Sequence, residues 1–169
     1  MKKRIAFVLI SVVLATVAWL LVQTSASIKQ KQQAEANIQH LPNVSLWALD
    51  SSQFVSRNWV GNSPSIIFYF DPHCEHCQAQ AQTLKKQAKR FENIKLLWVS
   101  VETLKNLRVF EKTYGLQKAL PQLKIARISP QDANKQFDFR VVPTILIYDK
   151  HQQLNKKFVG ETKIEALAP

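Results

Sequence analysis

Apolar residues recur along the chain in two rhythms, which predict alternating strands and helices. Residues 65–70 (Ser-Ile-Ile-Phe-Tyr-Phe) form a continuous β-branched and aromatic run flanked by prolines, the pattern of a strand covered on both faces. Small and apolar residues then recur at helical spacing from Cys77 to Phe91, with Gln, Lys and Arg between them. The sequence therefore predicts a buried strand that leads directly into an amphipathic helix of nearly four turns.

The rest of the chain repeats this alternation and closes on a hairpin. Upstream, apolar residues on both sides of Asp50-Ser51-Ser52 predict a short hairpin. Downstream, we expect a buried strand at residues 94–101, a helix at 104–116 that ends near Gly115, a short apolar piece at 125–128 and a helical turn at 130–139. Two strands joined by a turn follow at 145–148 and 154–159, and a final helix at 161–167. This order predicts an α/β fold with a mixed sheet and helices on both faces.

The N-terminus has a third pattern. Basic residues 2–4 precede an uncharged apolar run at residues 5–22. As a helix this run reaches roughly 27 Å, close to the ~30 Å hydrocarbon core, and it exceeds the ~7–15 apolar residues of a cleavable signal. We therefore expect a single-pass anchor in the cytoplasmic membrane with the following chain on the periplasmic, extracytoplasmic side. Small residues just beyond the run leave open a secreted product cleaved near Ala26.

These patterns divide the chain into three parts. We predict a signal-anchor or transmembrane segment at residues 1–22, a polar tether at residues 23–40 and one folded domain at residues 41–169. The formal net charge is +11, but the lysines are scattered and no basic stripe interleaves with aromatic residues. No nucleic-acid partner is predicted. A solvated surface, anionic lipid headgroups or an acidic partner would suit the charge.

The chain has two cysteines, Cys74 and Cys77. The loop between them is too short to stabilise a fold by cross-linking it, so we interpret them as a reactive pair. Cys74 falls at the predicted helix N-terminus, where unpaired N–H groups and the helix dipole stabilise a thiolate. Cys77 begins the apolar stripe and should face inward one turn later. The prediction is an exposed nucleophile, a buried resolving thiol and a redox-active disulfide, with no other cofactor.

Three polar neighbours should tune this pair. A positive charge on His76 would favour the dithiol and make the couple more oxidising, and Glu75 would act in the opposite direction. His73 and His76 could also complete half a zinc site. A structural zinc site usually needs a second ligand pair far along the chain, however, and His151 is the one histidine or cysteine beyond residue 77. We therefore predict no metal.

A proline interrupts the approach to a later strand. Pro143 lies between Val142 and the apolar run at residues 145–148. A proline at this place removes a ladder donor and suits a kink in the chain, which fits a cis Val142–Pro143 bond. An ordinary proline at a sheet edge is the more frequent case, because only about one X–Pro bond in twenty is cis.

The stretch from Leu41 to the C-terminus resembles the thioredoxin-like superfamily, specifically the membrane-tethered TlpA/ResA-type thiol-disulfide oxidoreductases of bacteria. The resemblance rests on Pro42-x-Val44-x-Leu46, on the strand leading into Cys74-Glu-His-Cys77 and on Val141-Val-Pro143-Thr144. It implies a thioredoxin-like fold with a central mixed sheet flanked by helices and an N-terminal β-hairpin.

The resemblance also implies partners. The substrates would be exported proteins with cysteines, bound in part by the backbone of Val142 and Pro143 as an added strand. A membrane thiol electron donor, of an identity that the sequence leaves open, would reduce the protein again. We accordingly expect a reductase.

Some positions depart from the family's pattern. His73 replaces a common tryptophan, His76 a common proline and Gln80 an acidic residue, and the buried aspartate of thioredoxin would fall at Phe68. A disulfide isomerase or oxidase therefore stays open. A second alternative is a Sco-like copper protein, which would use His151 as its distal ligand. A peroxiredoxin fits less well, because the Thr or Ser that it needs three residues before its cysteine is Asp71 here.

Overall fold

The structure, a computed structural model, describes residues 2–167, and for residues 2–13, 26–28, 30, 31 and 34 it describes the backbone alone. The chain divides into two compact units between residues 36 and 37. Helix α1, Lys2–Ile38, covers the first unit and includes most of the predicted tether. The predicted membrane segment at residues 5–22 lies half outside the residues whose side chains are described. Among the described residues, no helix is long and apolar enough to cross a membrane.

The second unit contains a seven-stranded mixed sheet in the order β2-β1-β5-β4-β3-β6-β7. Strands β3, β4 and β5 run parallel, and the other neighbours pair antiparallel. The strands are β1 Ser45–Ala48, β2 Gln53–Val55, β3 Ser65–Tyr69, β4 Lys95–Ser100, β5 Leu123–Arg127, β6 Thr144–Tyr148 and β7 Leu154–Val159. The helices are α2 Ser56–Val60, α3 Glu75–Lys86, α4 Leu104–Tyr114, α5 Leu116–Ala119 and α6 Pro130–Lys135, with 3-10 turns at Ala88–Phe91 and Ile164–Ala166.

Each face of the sheet carries its own apolar core. Ile66 and Phe68 of β3 point to the face covered by α3, α4 and α5, whereas Ile67 points to the face covered by α2 and α6. This alternation along β3 is why its sequence is apolar at nearly every position. The predicted thioredoxin-like α/β fold, with a central mixed sheet between helices and an N-terminal β1–β2 hairpin, is confirmed.

Three helix predictions were wrong in extent. The helical turn expected at residues 130–139 ends at Lys135. The helix expected to reach Phe91 ends at Lys86, and the tighter 3-10 turn that follows brings Phe91 fully into the core. The final helix expected at residues 161–167 is a 3-10 turn only. Its buried residues, Ile164 and Leu167, are three apart, and a 3-10 turn places that spacing on one side.

The second unit begins slightly before the predicted domain start at residue 41. Ile38 is 1% exposed and belongs to the core on the α2 and α6 face. The buried hydroxyl of Tyr148, at the end of β6, donates a hydrogen bond to the carbonyl of Ile38 at 3.0 Å. Ile38, the last residue of α1 and part of the second unit, is therefore fixed to the sheet.

Candidate active site

The cysteine pair lies where the central strand β3 gives way to α3. Cys74 is the N-cap residue of α3, with extended φ and ψ of −79° and 119°. Its N–H donates to the carbonyl of Asp71 at 3.1 Å, and its own carbonyl accepts the N–H of Gln78 at 3.0 Å. The predicted place of Cys74 at a helix N-terminus is confirmed by this geometry.

The two thiols differ sharply in exposure. Both cysteines are free, and Cys74 is half-buried whereas Cys77 is 0% exposed. Burial, chiefly, raises the pKa of Cys77 to about 12, with further increases from its hydrogen bond to Cys74 and from the charges of Cys74 and Asp71. The backbone N–H of Asp71, which hydrogen-bonds to the Cys77 sulfur, opposes this rise. Cys77 therefore holds its proton at neutral pH, as a resolving thiol in the resting dithiol would.

The three polar residues predicted to tune the cysteine pair each have different contacts. His76 contacts Glu161 through Nδ1 and Oε2 at 2.9 Å, and the two side chains are 68% and 62% exposed. The backbone N–H of His73 donates to the Asp71 carboxylate at 2.7 Å. Glu75 is exposed in the first turn of α3. Glu161 is a site residue that the sequence analysis missed, and the one signal for it was its position just after Gly160 at the end of β7.

The proline loop lies at the same end of the sheet as the cysteines. The Val142–Pro143 bond is cis. The next residue, Thr144, pairs with Tyr69 at the end of β3, and Val142 packs against the core cluster that contains Cys77. Sequence and structure thus place Val142 and Pro143 beside the active-site strand.

Exposed valines lie at this end of the sheet. Val141 is 52% exposed and Val159, at the end of β7, is 59% exposed. Gly160, which follows Val159, donates its N–H to the carbonyl of Pro143 at 2.8 Å. The end of β7 is therefore fixed directly to the proline loop, a contact that the sequence did not predict.

Gln80 is a buried polar residue on the inner face of α3. It is 5% exposed, and its amide Nε2 has no hydrogen-bond partner among the described residues. It lines a cavity of about 470 Å³ between α3 and the segment after β7, together with Thr83, Glu161, Thr162 and Lys163. The strand position that would hold the buried aspartate of thioredoxin is Phe68. Its ring stacks on that of Trp98, with the ring centroids 4.0 Å apart.

His151 lies far from the cysteines. It occupies the turn after β6, where its N–H donates to the Asp149 carboxylate at 2.8 Å. The β6 end next to this turn pairs with Ser65, and the opposite end pairs with Tyr69, near Cys74. The two ends, Thr144 and Tyr148, are four residues apart, which is roughly 13 Å along a strand. The described residues include no group of three or more His, Cys, Asp or Glu that could hold a metal ion.

Comparisons with known proteins agree with this fold. Residues 38–164 match the model of the AhpC/TSA family. No curated protein sequence matches the chain. DsbF of Mycobacterium tuberculosis, solved in mixed oxidised and reduced forms, superposes with a TM-score of 0.64 at 16% identity, over 78% of this chain and 92% of that chain.

Two further solved structures are similar in the same way. A secreted Mycobacterium tuberculosis disulfide oxidoreductase homologous to E. coli DsbE has a TM-score of 0.59 at 12% identity, over 76% of this chain and 87% of that chain. Copper-bound ScoI of Arabidopsis thaliana has a TM-score of 0.58 at 12% identity, over 74% of this chain and 91% of that chain. At such low identities these likenesses show a common fold and no more.

Proposed function

The chain belongs to the AhpC/TSA family, and from that premise we propose that it is a thiol-disulfide oxidoreductase acting on cysteines of exported proteins. The observation that carries the proposal is the asymmetry of its two thiols. Cys74 is accessible at the start of a helix, and Cys77 is fully buried one turn later. An attacking thiol must reach its substrate, whereas a resolving thiol needs to reach only its neighbour.

The proposed reaction has two exchange steps. The Cys74 thiolate attacks a substrate disulfide, forms a mixed disulfide and releases one substrate thiol. The Cys77 sulfur then attacks Cys74 and releases the second substrate thiol, which leaves a Cys74–Cys77 disulfide. A membrane thiol donor would return the pair to the dithiol. In the opposite direction, the same steps would oxidise a substrate dithiol.

We favour the reductive direction, as in the TlpA/ResA-type proteins. A free positive charge on His76 would stabilise the thiolate of the dithiol form and make the couple oxidising. The carboxylate of Glu161 lies 2.9 Å from His76 and offsets such a charge, and Glu75 adds a further negative charge nearby. These two negative charges support a more reducing couple than an unopposed positive charge on His76 would give.

Substrate binding and membrane attachment complete the proposal. The backbone of Val142 beside Pro143 would pair with the substrate chain as an added strand. The apolar run at residues 5–22 would anchor the protein in the cytoplasmic membrane, with the second unit outside the cytoplasm. The Sco-like alternative finds less support, because His151 lies at the other end of β6 from the cysteines.

The test uses the full chain in detergent micelles. The reduced Cys77→Ser variant should accumulate a mixed disulfide between Cys74 and an exported substrate that carries a disulfide, and the matched Cys74→Ser variant should accumulate none. Absence of any trapped species in Cys77→Ser would overturn the proposal. The reduction potential then decides direction: a value near or below about −250 mV supports a reductase, and one between about −180 and −120 mV makes it an isomerase or oxidase.

A further inference from the structure

The second exchange step raises a question of proton transfer. Cys77 must lose its proton before it can attack Cys74, yet its side chain is 0% exposed and bulk water does not reach it. In the dithiol, burial is the largest cause that raises the pKa of this thiol, to about 12. A proton acceptor beside Cys77 would relieve this limitation.

Asp71 contacts both cysteines and His73 in the cysteine turn. Its backbone N–H donates to the Cys77 sulfur, and its carbonyl accepts the N–H of Cys74 at 3.1 Å. Its carboxylate accepts the N–H of His73 at 2.7 Å and interacts electrostatically with Cys77. These contacts hold a carboxylate within the turn that contains both reacting sulfurs.

Other acidic groups are placed less well for this role. The central strand offers none on the Cys77 side, since Phe68 fills that position and stacks on Trp98. Glu75 is exposed, and Glu161 is 62% exposed and bonded to His76. Among the described residues, the charged or titratable groups that act on Cys77 are Cys74, the N-cap residue of α3, and Asp71, in the loop after β3.

We propose that the Asp71 carboxylate takes the proton of Cys77 during resolution of the mixed disulfide, an inference that rests on the proposed function. The Cys77 S–H bond breaks, and its proton passes to a carboxylate oxygen of Asp71. The Cys77 sulfur then forms a bond to the Cys74 sulfur, and the bond between Cys74 and the substrate sulfur breaks. The departing substrate thiolate takes up the proton. The dithiol is oxidised and the substrate disulfide is reduced.

The aromatic disulfide dithiobis-nitrobenzoate separates the two steps in the reduced full chain. Attack by Cys74 releases a first equivalent of coloured thiolate, and resolution by Cys77 releases a second. Asp71→Asn keeps an oxygen to accept the His73 N–H but removes the proton acceptor. We expect an unchanged first phase and a second phase slowed by roughly 10²-fold at pH 7, with a rate that rises in proportion to hydroxide.

A purely electrostatic role of Asp71 predicts the opposite sign. The Asp71 charge raises the pKa of Cys77, so removing that charge would increase the ionised fraction and accelerate the second phase. A second phase in Asp71→Asn that is as fast as in the wild type, or faster, would overturn the proposal. Failure of the proposed function would look different, because the wild-type protein would then release no second equivalent. As a control, Cys77→Ser should release the first equivalent of coloured thiolate and no second one.

Discussion

The Nδ1 atom of His76 lies 2.9 Å from Oε2 of Glu161, although 85 residues separate the two in the sequence. This contact joins the dipeptide between the cysteines to the segment that follows β7. Both side chains are mostly exposed, so their mutual attraction contributes at most about 1 kcal/mol to stability. Its consequence should therefore appear in the redox chemistry of the neighbouring thiols more than in the stability of the fold.

We predict that Glu161→Gln makes the couple more oxidising. Without the carboxylate, the His76 charge is no longer offset and stabilises the thiolate of the dithiol form. The reduction potential should rise by roughly 10–20 mV, the equivalent of less than 1 kcal/mol for a two-electron couple. Equilibration against dithiol buffers measures the change.

The control for this prediction is a double-mutant cycle with His76→Gln. In the His76→Gln background, Glu161→Gln should leave the potential nearly unchanged, because the charge that it offset is gone. An equal rise in both backgrounds would mean that Glu161 acts on the thiols directly and that the contact with His76 has no redox effect.

A second prediction concerns the exposed valines beside the proline loop. Val141→Ser and Val159→Ser should each raise KM for a polypeptide disulfide by roughly threefold to tenfold, since each removes apolar surface that a bound chain would cover. Turnover of a small aromatic disulfide should not change. Val109 on α4 is also 59% exposed, so Val109→Ser is a control matched in residue type and exposure. Equal effects from all three variants would contradict a binding role.

The sequence predicted the active-site strand, the helix and the cysteine positions well, because all three depend on local periodicity. Ile66 to Phe70 and the stripe from Cys77 to Leu84 lie in the cores expected for them. The break of α3 at Gln87 was not predictable in this way, since Ala88 and Phe91 continue the helical spacing in the sequence and the change to a 3-10 turn depends on packing.

Features that depend on distant segments meeting could not be predicted. Glu161 reaches His76, and Gly160 reaches Pro143, only because β7 returns beside β6 in one particular register. The role inferred for Asp71 had a local signal, an acidic residue at the end of a buried strand. The role itself could not be assigned from the sequence, because it depends on the observation that Cys77 is fully buried and hydrogen-bonded to the Asp71 backbone.

A third prediction separates redox chemistry from copper delivery. Because His151 lies at the end of β6 remote from Cys74, His151→Ala should leave Cu(I) affinity, measured by competition with a chromogenic chelator, unchanged within twofold. Cys74→Ser should abolish whatever affinity the dithiol has, since soft thiolates are the ligands that Cu(I) prefers. A loss of more than tenfold in His151→Ala would restore the Sco-like alternative.

A fourth prediction follows from the pKa of Cys77. This pKa is about 12 in the folded dithiol against an ordinary value of 9.0, so the folded state holds the proton more tightly than the unfolded state. The resulting contribution to stability is complete below about pH 9 and is lost as the pH rises toward 12. Between pH 8 and pH 10.5, the free energy of unfolding of the reduced protein should fall by about 2 kcal/mol from this group alone.

Urea denaturation of the reduced wild type and of Cys77→Ala at both pH values isolates that contribution. Other groups that titrate in this range, including Tyr148, whose pKa burial also raises, are common to both proteins and cancel in the comparison. The stability advantage of the wild type over Cys77→Ala should therefore shrink at pH 10.5. An advantage that stays constant between the two pH values would mean that the Cys77 thiol is not held protonated by the fold, and the need for a proton acceptor such as Asp71 would disappear with it.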